Sequence, residues 1–185
     1  YDTEPKHVKR YERLIKNMQE FIKNSDVTLG YIGPLHYYRF PFKTILDTLD
    51  RLISGTTNLN IKMIAIFRSA NPRLLTKVIE YAKKLSIESN IKILTSVLTL
   101  PIKKIFYNTM DVILATHTFQ GFPAVDPPIS ILEAMSCKKA VITSACGSLP
   151  IYFKNNEEIV FSNFFDTNLL YNSLMFLLDN RYYVR

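Results

Sequence analysis

Short apolar segments alternate with longer amphipathic segments along almost the whole of this 185-residue chain. The apolar segments are rich in β-branched residues and too short for buried helices, so they predict buried strands. They lie at 27–32, 61–67, 91–95, 111–115, 140–143 and 157–161. Between them apolar residues recur at helical spacing, which predicts helices at 41–53, 71–85, 101–108 and 166–178, with one more that begins at Pro127.

The regular alternation of strands and helices predicts a parallel sheet, because each crossover returns the chain to the same end of the sheet. A chain of this length suits one domain with a sizeable core. We therefore expect an α/β fold, a Rossmann-like doubly wound parallel sheet of about six strands in the order 3-2-1-4-5-6. Its ligand crevice would lie at the carboxyl ends of strands 1 and 4, where the segments 33–40 and 116–126 fall.

The first part of the chain predicts one amphipathic helix over residues 8–24, with Lys and Arg on its outer face. We expect residues 1–26 to form this helix and a linker, and residues 27–185 to form the Rossmann-like domain. Solvation is the simplest role for the basic face, and contact with a membrane surface or a partner is the alternative. Because the chain begins with Tyr1 rather than Met, we expect it to be an excised domain of a longer protein.

The formal charge of +7 and the pI of about 9.3 favour anionic partners such as nucleotide phosphates, lipid headgroups or nucleic acid. The Lys and Arg residues are scattered without a long run, so we expect no nucleic-acid partner. The two cysteines lack histidine neighbours, so we expect no metal site. With no signal peptide and no apolar run near the roughly 18 residues of a membrane helix, we expect a cytoplasmic chain, with peripheral membrane contact as the alternative.

The stretch 121–135 reads as a loop that ends in a helix N-terminus. Proline at 127 and 128 suits the first helical turn, and Asp126 stands where a side chain can cap free backbone N–H groups. The amides of Ile129, Ser130 and Ile131 would then be free at the positive end of the helix dipole. Such an end is an anion site suited to a phosphate.

Glu133 lies about one turn further into the same helix, where its carboxylate could accept hydrogen bonds from sugar hydroxyls. A phosphate site beside a hydroxyl-binding acid indicates a nucleotide. The simpler alternative is a capped helix with an exposed Glu that binds nothing. The sequence contains neither a P-loop nor a Gly-x-Gly-x-x-Gly fingerprint, which argues against a dinucleotide-dependent oxidoreductase.

Four short motifs carry a family resemblance that covers most of the chain from about Val27. They are Gln120-Gly121-Phe122, Glu133-Ala134-Met135, Ala140-Val141-Ile142 and the turn Gly147-Ser148-Leu149-Pro150. In this order they resemble the C-terminal donor-binding domain of retaining glycosyltransferases with two Rossmann-like domains (the GT-B fold), of the glycosyltransferase group 1 or family 4-like kind.

The resemblance implies that the chain is one half of a GT-B fold and binds a nucleotide-diphosphate sugar, a UDP- or GDP-sugar. Glu133 would bind the ribose hydroxyls, and the reaction would be hexosyl transfer with retention at the anomeric carbon. The nucleotide sugar is the donor substrate, and no cofactor or metal is implied. The acceptor would be held by a missing N-terminal domain, with a lipid-linked acceptor at a membrane surface as one option.

The family often places a Glu about eight residues before the ribose-binding Glu, close to the transferred sugar, but this chain has Val125 at that spacing. Asp126 is the nearest acid. It is therefore our candidate for a sugar contact or a catalytic role, with a plain helix cap as the alternative, and the catalytic residues are otherwise unknown.

Gly33 follows the first predicted strand, where a residue without Cβ lets the backbone approach a ligand closely. The family usually has an Arg just after this Gly and a Lys several residues on, and both hold the diphosphate. Pro34 and Phe40 stand there in this chain, so the nearby cations Arg39 and Arg68 are our substitutes, with Lys43 as a third.

Gly147 could bring a backbone amide near the phosphate or sugar, or could simply form a turn. We thus expect a donor domain that alone binds nucleotide weakly and transfers nothing. The lost Arg and Lys positions favour the alternative, a non-catalytic Rossmann-like module for binding or assembly. A third interpretation, an anion-binding surface for lipid or nucleic acid, depends on charge alone.

Overall fold

The computed structural model describes residues 6–56, 58–116 and 127–180. The strands in this part of the chain are β1 (Val27–Leu35), β2 (Ile61–Ala70), β3 (Ile91–Thr95), β4 (Val112–Ala115), β5 (Ala140–Thr143) and β6 (Val160–Phe161). The helices are α1 (Lys6–Ile22), α2 (Phe42–Gly55), α3 (Pro72–Lys84), α4 (Leu100–Thr109), α5 (Ile129–Ser136), α6 (Leu149–Tyr152) and α7 (Thr167–Asp179).

The six strands form one parallel sheet in the order β3-β2-β1-β4-β5-β6. This order confirms the predicted doubly wound α/β fold. The chain leaves β1 towards one edge of the sheet and then returns to place β4 on the other side of β1. The switch point therefore lies at the carboxyl ends of β1 and β4, as the sequence predicts.

Helices cover both faces of the sheet, and the buried residues of the strands alternate between the two faces. Along β2, Met63, Ala65 and Phe67 belong to one apolar cluster, whereas Ile64 and Ile66 belong to the other. The first cluster contains buried residues of α2, α3 and α7, and the second contains those of α1, α4 and α5. The site therefore rests on strands that are fixed from both sides.

Helix α1 confirms the predicted amphipathic helix and is part of the packed domain. Met18 is fully buried in the second cluster, and the Tyr11 hydroxyl donates a hydrogen bond to the Val97 carbonyl at 3.2 Å. Lys9 and Lys16 are exposed on its outer face. The division of the chain at residues 26 and 27 stays a prediction. Among the described helices, none has both the length and the apolar character to cross a membrane.

Strand β1 continues past the point where the sequence predicts a loop. Gly33 pairs with Phe67 and Leu35 pairs with Ala70, with a shift of register between them. The shift falls at Pro34, which has no N–H to donate to the ladder. The Tyr31 hydroxyl donates to the Pro34 carbonyl at 2.9 Å, which ties the irregular end of the strand to its regular part.

Two predicted boundaries are wrong. The sixth strand does not begin at Glu157, because the backbone N–H groups of Glu158 and Ile159 turn back to the Lys154 carbonyl and leave only two residues in β6. The helix predicted from Pro127 begins at Ile129, and Pro128 is its N-cap with an extended ψ of 130°. A residue before a proline is biased away from helical backbone, which explains why Pro127 stays outside the helix.

Candidate functional site

A cavity of about 410 Å³ lies at the carboxyl edge of the sheet, between the ends of β1 and β4 and the N-terminus of α5. Most of the candidate site residues predicted from the sequence line this cavity. The predicted site residues along its wall are Gly33, Arg39, Arg68, Ile129, Ser130 and Glu133. Tyr31, Lys103, Tyr107 and Thr116 line it as well.

The N-terminus of α5 gives this cavity two backbone amides, those of Ile129 and Ser130. Neither N–H group donates to a residue in the part of the chain that the structure describes. Ile131 differs from the prediction, because its N–H group donates to the Pro128 carbonyl at 3.0 Å and is therefore not free. Asp126 lies outside the described residues, so its roles as cap, sugar contact or catalytic residue stay predictions.

Glu133 points into the cavity from the second turn of α5 and is held by two side chains of α4. Its Oε1 lies 2.8 Å from Lys103 Nζ, and its Oε2 accepts a hydrogen bond of 3.0 Å from the Tyr107 hydroxyl. Its side chain is only 20% exposed. A ribose is neutral and cannot balance the charge of a carboxylate, so a ribose-binding Glu is expected to lie beside water or a backbone donor. The structure shows a cation and a phenol instead, which fix its orientation before any ligand arrives.

Two buried tyrosines near this cavity resist ionisation. Burial raises the pKa of Tyr107 well above its ordinary value, and the charge of Glu133 and the hydrogen bond to Glu133 raise it further. Burial also raises the pKa of Tyr31, against smaller opposing effects of Thr116, Arg39 and Arg68. Tyr107 is therefore a neutral hydrogen-bond donor to Glu133 at physiological pH.

Three cations line the cavity against one carboxylate, so its described wall carries a net positive charge. Arg39 lies beyond the end of β1, Arg68 near the end of β2, and Lys103 on α4. The Arg39 carbonyl accepts a hydrogen bond from the Thr116 hydroxyl, which ties this segment to the end of β4. Lys43, the third predicted substitute, is not among the described residues that line the cavity.

Gly33 is the point where the backbone itself forms the wall. A Cβ atom at this position would lie 2.4 Å from the Tyr31 hydroxyl oxygen and 2.8 Å from its Cζ atom. Side chains other than hydrogen therefore do not fit unless Tyr31 moves. Gly147, by contrast, has a φ of 60° in the turn before α6 and does not line this cavity. The structure thus fits the turn role predicted for Gly147.

The sequence did not single out Lys103, Tyr107, Tyr31 or Thr116. Lys103 and Tyr107 are four residues apart on a helix, so their spacing predicts one shared face. It does not predict that α5 lies against that face, because this contact depends on how two crossover helices pack on the sheet. The pairing of both residues with Glu133 is therefore a finding of the structure.

Solved structures of known proteins share this fold. The C-terminal domain of the glycosyl transferase group 1 family protein LpcC from Francisella tularensis has a TM-score of 0.71 at 15% identity, over 89% of this chain and 84% of that one. Anabaena HepE in complex with UDP has a TM-score of 0.72 at 15% identity, over 92% of this chain and 44% of that one. For sucrose-phosphate synthase from Thermosynechococcus elongatus the TM-score is 0.70 at 15% identity, over 92% of this chain and 40% of that one.

These likenesses define the class of fold: a Rossmann-like domain of the kind that forms the C-terminal half of GT-B glycosyltransferases. The chain spans less than half the length of the HepE and sucrose-phosphate synthase chains. The sequence profile of the family described as Glycosyl transferases group 1 matches residues 26–180, so the chain belongs to this family. Comparison with curated proteins gives no significant match.

The buried tyrosines predict a loss of stability at alkaline pH. The raised pKa values keep them protonated in the folded chain after the unfolded chain has begun to lose these protons. Their contribution to the free energy of unfolding is therefore fully present below about pH 10 and is lost as the pH rises towards their folded-state pKa values. For each tyrosine the loss is at most about 1.4 kcal/mol per pH unit. We expect Tyr107→Phe to remove the part of this pH dependence that comes from Tyr107. The measurement is the free energy of unfolding in urea from about pH 8 to pH 11.

The matched control is Tyr152→Phe, because the Tyr152 side chain is 62% exposed. It should reproduce the pH dependence of the unchanged chain. Equal slopes for Tyr107→Phe and the unchanged chain above about pH 10 would show that Tyr107 does not stay protonated in the folded state.

Proposed function

We propose that this chain is the donor-binding domain of a glycosyltransferase and that its cavity binds a nucleotide-diphosphate sugar. The observation that carries the proposal is the meeting of three groups in one cavity. These groups are the α5 amides that have no partner among the described residues, three cations from separate segments of the chain, and an oriented carboxylate. Amides and cations are complementary to a diphosphate, and a carboxylate is complementary to the two hydroxyls of a ribose.

Each part of the donor has a place in this arrangement. In this proposal the diphosphate binds the amides of Ile129 and Ser130, and Arg39 and Arg68 of the same cavity supply positive charge. The ribose lies against Glu133. Because Tyr107 and Lys103 already orient that carboxylate, little side-chain entropy is lost when the ribose binds. In this proposal Lys103, which donates a hydrogen bond to Glu133, turns towards a phosphate when the ribose hydroxyls replace it as donors to the carboxylate.

The proposed reaction is hexosyl transfer with retention at the anomeric carbon. The diphosphate leaves with increased negative charge, which the α5 amides and the arginines stabilise. The acceptor is held by an N-terminal domain outside this chain, so the chain alone binds the donor and transfers nothing. The complex of HepE with UDP supports UDP as the first nucleotide to test on this chain.

A second candidate function is a non-catalytic module derived from such an enzyme. Phe40 favours it, because this residue stands where the family has a phosphate-binding Lys and its side chain is fully buried. No cation can therefore reach the diphosphate from that position. The two candidates differ in whether Arg39 and Arg68 replace the lost charges.

Titration calorimetry of the chain with UDP, GDP and ADP tests the proposal. We expect at least one nucleotide to bind with a Kd on the order of 0.1–1 mM, and the affinity to fall as salt is added. Arg68→Ala should weaken this binding about tenfold, because charge-assisted hydrogen bonds to a phosphate are lost. Arg73→Ala is the matched control, since Arg73 is exposed on α3 and is not among the residues that line the cavity. No binding of any of the three nucleotides at about 5 mM would refute the proposal.

A further inference from the structure

A second cavity, of about 670 Å³, lies on the same sheet edge beyond the ends of β5 and β6 and beside α7. Four asparagines, three serines and three phenylalanines account for most of its wall. Among the described residues that line it, none is Asp, Glu, Lys or Arg. This composition contrasts with the first cavity, which carries three cations and a carboxylate. The second cavity therefore suits a neutral ligand.

The polar groups of this cavity are oriented by the backbone. The side-chain oxygen of Asn155 accepts a hydrogen bond from the Phe161 N–H at 2.8 Å, and that of Asn163 accepts one from the Phe165 N–H at 2.9 Å. Each carboxamide thus has its oxygen occupied and its NH₂ group left as a donor. The Ser162 Oγ atom is buried and has no hydrogen-bond partner among the described residues, so a ligand hydroxyl would be a favourable partner for it.

Three exposed rings, which we call the aromatic ridge, extend from the second cavity: Tyr37, Tyr38 and Phe165. Their side chains are 54%, 37% and 41% exposed. The ring centroids of Tyr37 and Phe165 are 5.8 Å apart, and those of Tyr37 and Tyr38 are 5.5 Å apart. Phe165 lines the second cavity, and Tyr37 and Tyr38 precede Arg39, which lines the first. The ridge therefore runs from the second cavity towards the segment that carries Arg39.

Exposed rings and uncharged amide donors together match the two sides of a sugar ring. The C–H face of a pyranose packs on an aromatic ring, while its hydroxyls accept hydrogen bonds from amides. A phosphorylated ligand would find no cation in the described wall, and a lipid chain would leave the amides unpaired. We propose that the second cavity and the aromatic ridge bind a neutral oligosaccharide. This inference goes beyond the proposed function and does not depend on it.

Titration of the ¹⁵N-labelled chain with four neutral trisaccharides tests the proposal: maltotriose, cellotriose, mannotriose and triacetylchitotriose. We expect at least one to bind with a Kd of about 1–10 mM and to shift amide resonances of β6 and α7. Phe165→Ala and Asn172→Ala should each weaken that binding about tenfold, because a stacking face and an amide donor are lost. Both residues are exposed, so neither variant should unfold the chain.

Asn108→Ala is the matched control, since Asn108 is exposed on α4, on the opposite side of the sheet from α7. Failure of all four trisaccharides to bind at about 50 mM overturns the proposal, and so does binding that neither variant weakens. The nucleotide titration is independent of this result. Nucleotide binding without trisaccharide binding refutes only this inference, whereas trisaccharide binding without nucleotide binding refutes only the proposed function.

Discussion

Replacing Glu133 with alanine is expected to weaken nucleotide binding by about 10- to 100-fold, because hydrogen bonds to a carboxylate contribute about 1.5–3 kcal/mol. The carboxylate has 20% of its surface exposed and is already oriented by Lys103 and Tyr107. A ribose therefore meets a fixed acceptor. The measurement is calorimetric titration of the variant with the nucleotide that the unchanged chain binds best.

Two further variants separate the ribose contact from a general effect of charge. Glu133→Gln keeps the shape of the side chain and one acceptor oxygen, so it should lose less affinity than Glu133→Ala. Glu157→Ala removes an exposed carboxylate on another part of the surface and should leave the Kd unchanged. Unchanged nucleotide binding by Glu133→Ala, with thermal unfolding showing an intact fold, would support the non-catalytic module over the donor domain.

Replacing Phe67 with alanine is expected to lower the free energy of unfolding by about 3–5 kcal/mol, because it leaves a cavity in a packed core. Phe67 is fully buried on β2. Its ring centroid is 5.0 Å from that of Phe40 and 5.8 Å from that of Tyr31. This loss would be a large fraction of the roughly 5–15 kcal/mol that stabilises a domain.

Urea unfolding monitored by circular dichroism measures this effect. Phe165→Ala is the control, since Phe165 is 41% exposed and its removal should change the free energy of unfolding by less than about 0.5 kcal/mol. The aromatic cluster of Tyr31, Phe40 and Phe67 underlies the end of β1, where Gly33 and Arg39 line the first cavity. A loss of less than about 1 kcal/mol for Phe67→Ala would show that this cluster does not support the site.

Most of the fold follows from local patterns in the sequence. The run at 61–67 is apolar at nearly every position, which is typical of a strand covered on both faces of a parallel sheet. In the structure the side chains on both faces of this strand are buried. The end of β1 was harder to predict. Gly33 and Pro34 are usual loop residues, yet pairing with β2 extends the strand through Leu35. The ladder accommodates the proline by a shift of register between Gly33 and Leu35. A neighbouring strand overrides the local preference there.

The candidate site was predictable only in part. The position of Glu133 on a helix after the switch-point loop follows from the motif that contains it. Its partners Lys103 and Tyr107 lie on a different helix, and no local spacing indicates which helices touch. The aromatic ridge is unpredictable from the sequence for the same reason. Tyr37 and Phe165 come into contact only when the ends of β1 and β6 lie at one edge of the sheet.

The sheet order has a consequence for how the chain is made. Strand β1 pairs with β2 on one side and with β4 on the other, and β4 begins only at Val112. During synthesis on a ribosome, β1 and β2 can associate early, but the second edge of β1 stays open until Val112–Ala115 has emerged. An open edge of a buried strand is a template for pairing with other chains. The nascent chain is therefore exposed to misassembly until β4 closes that edge.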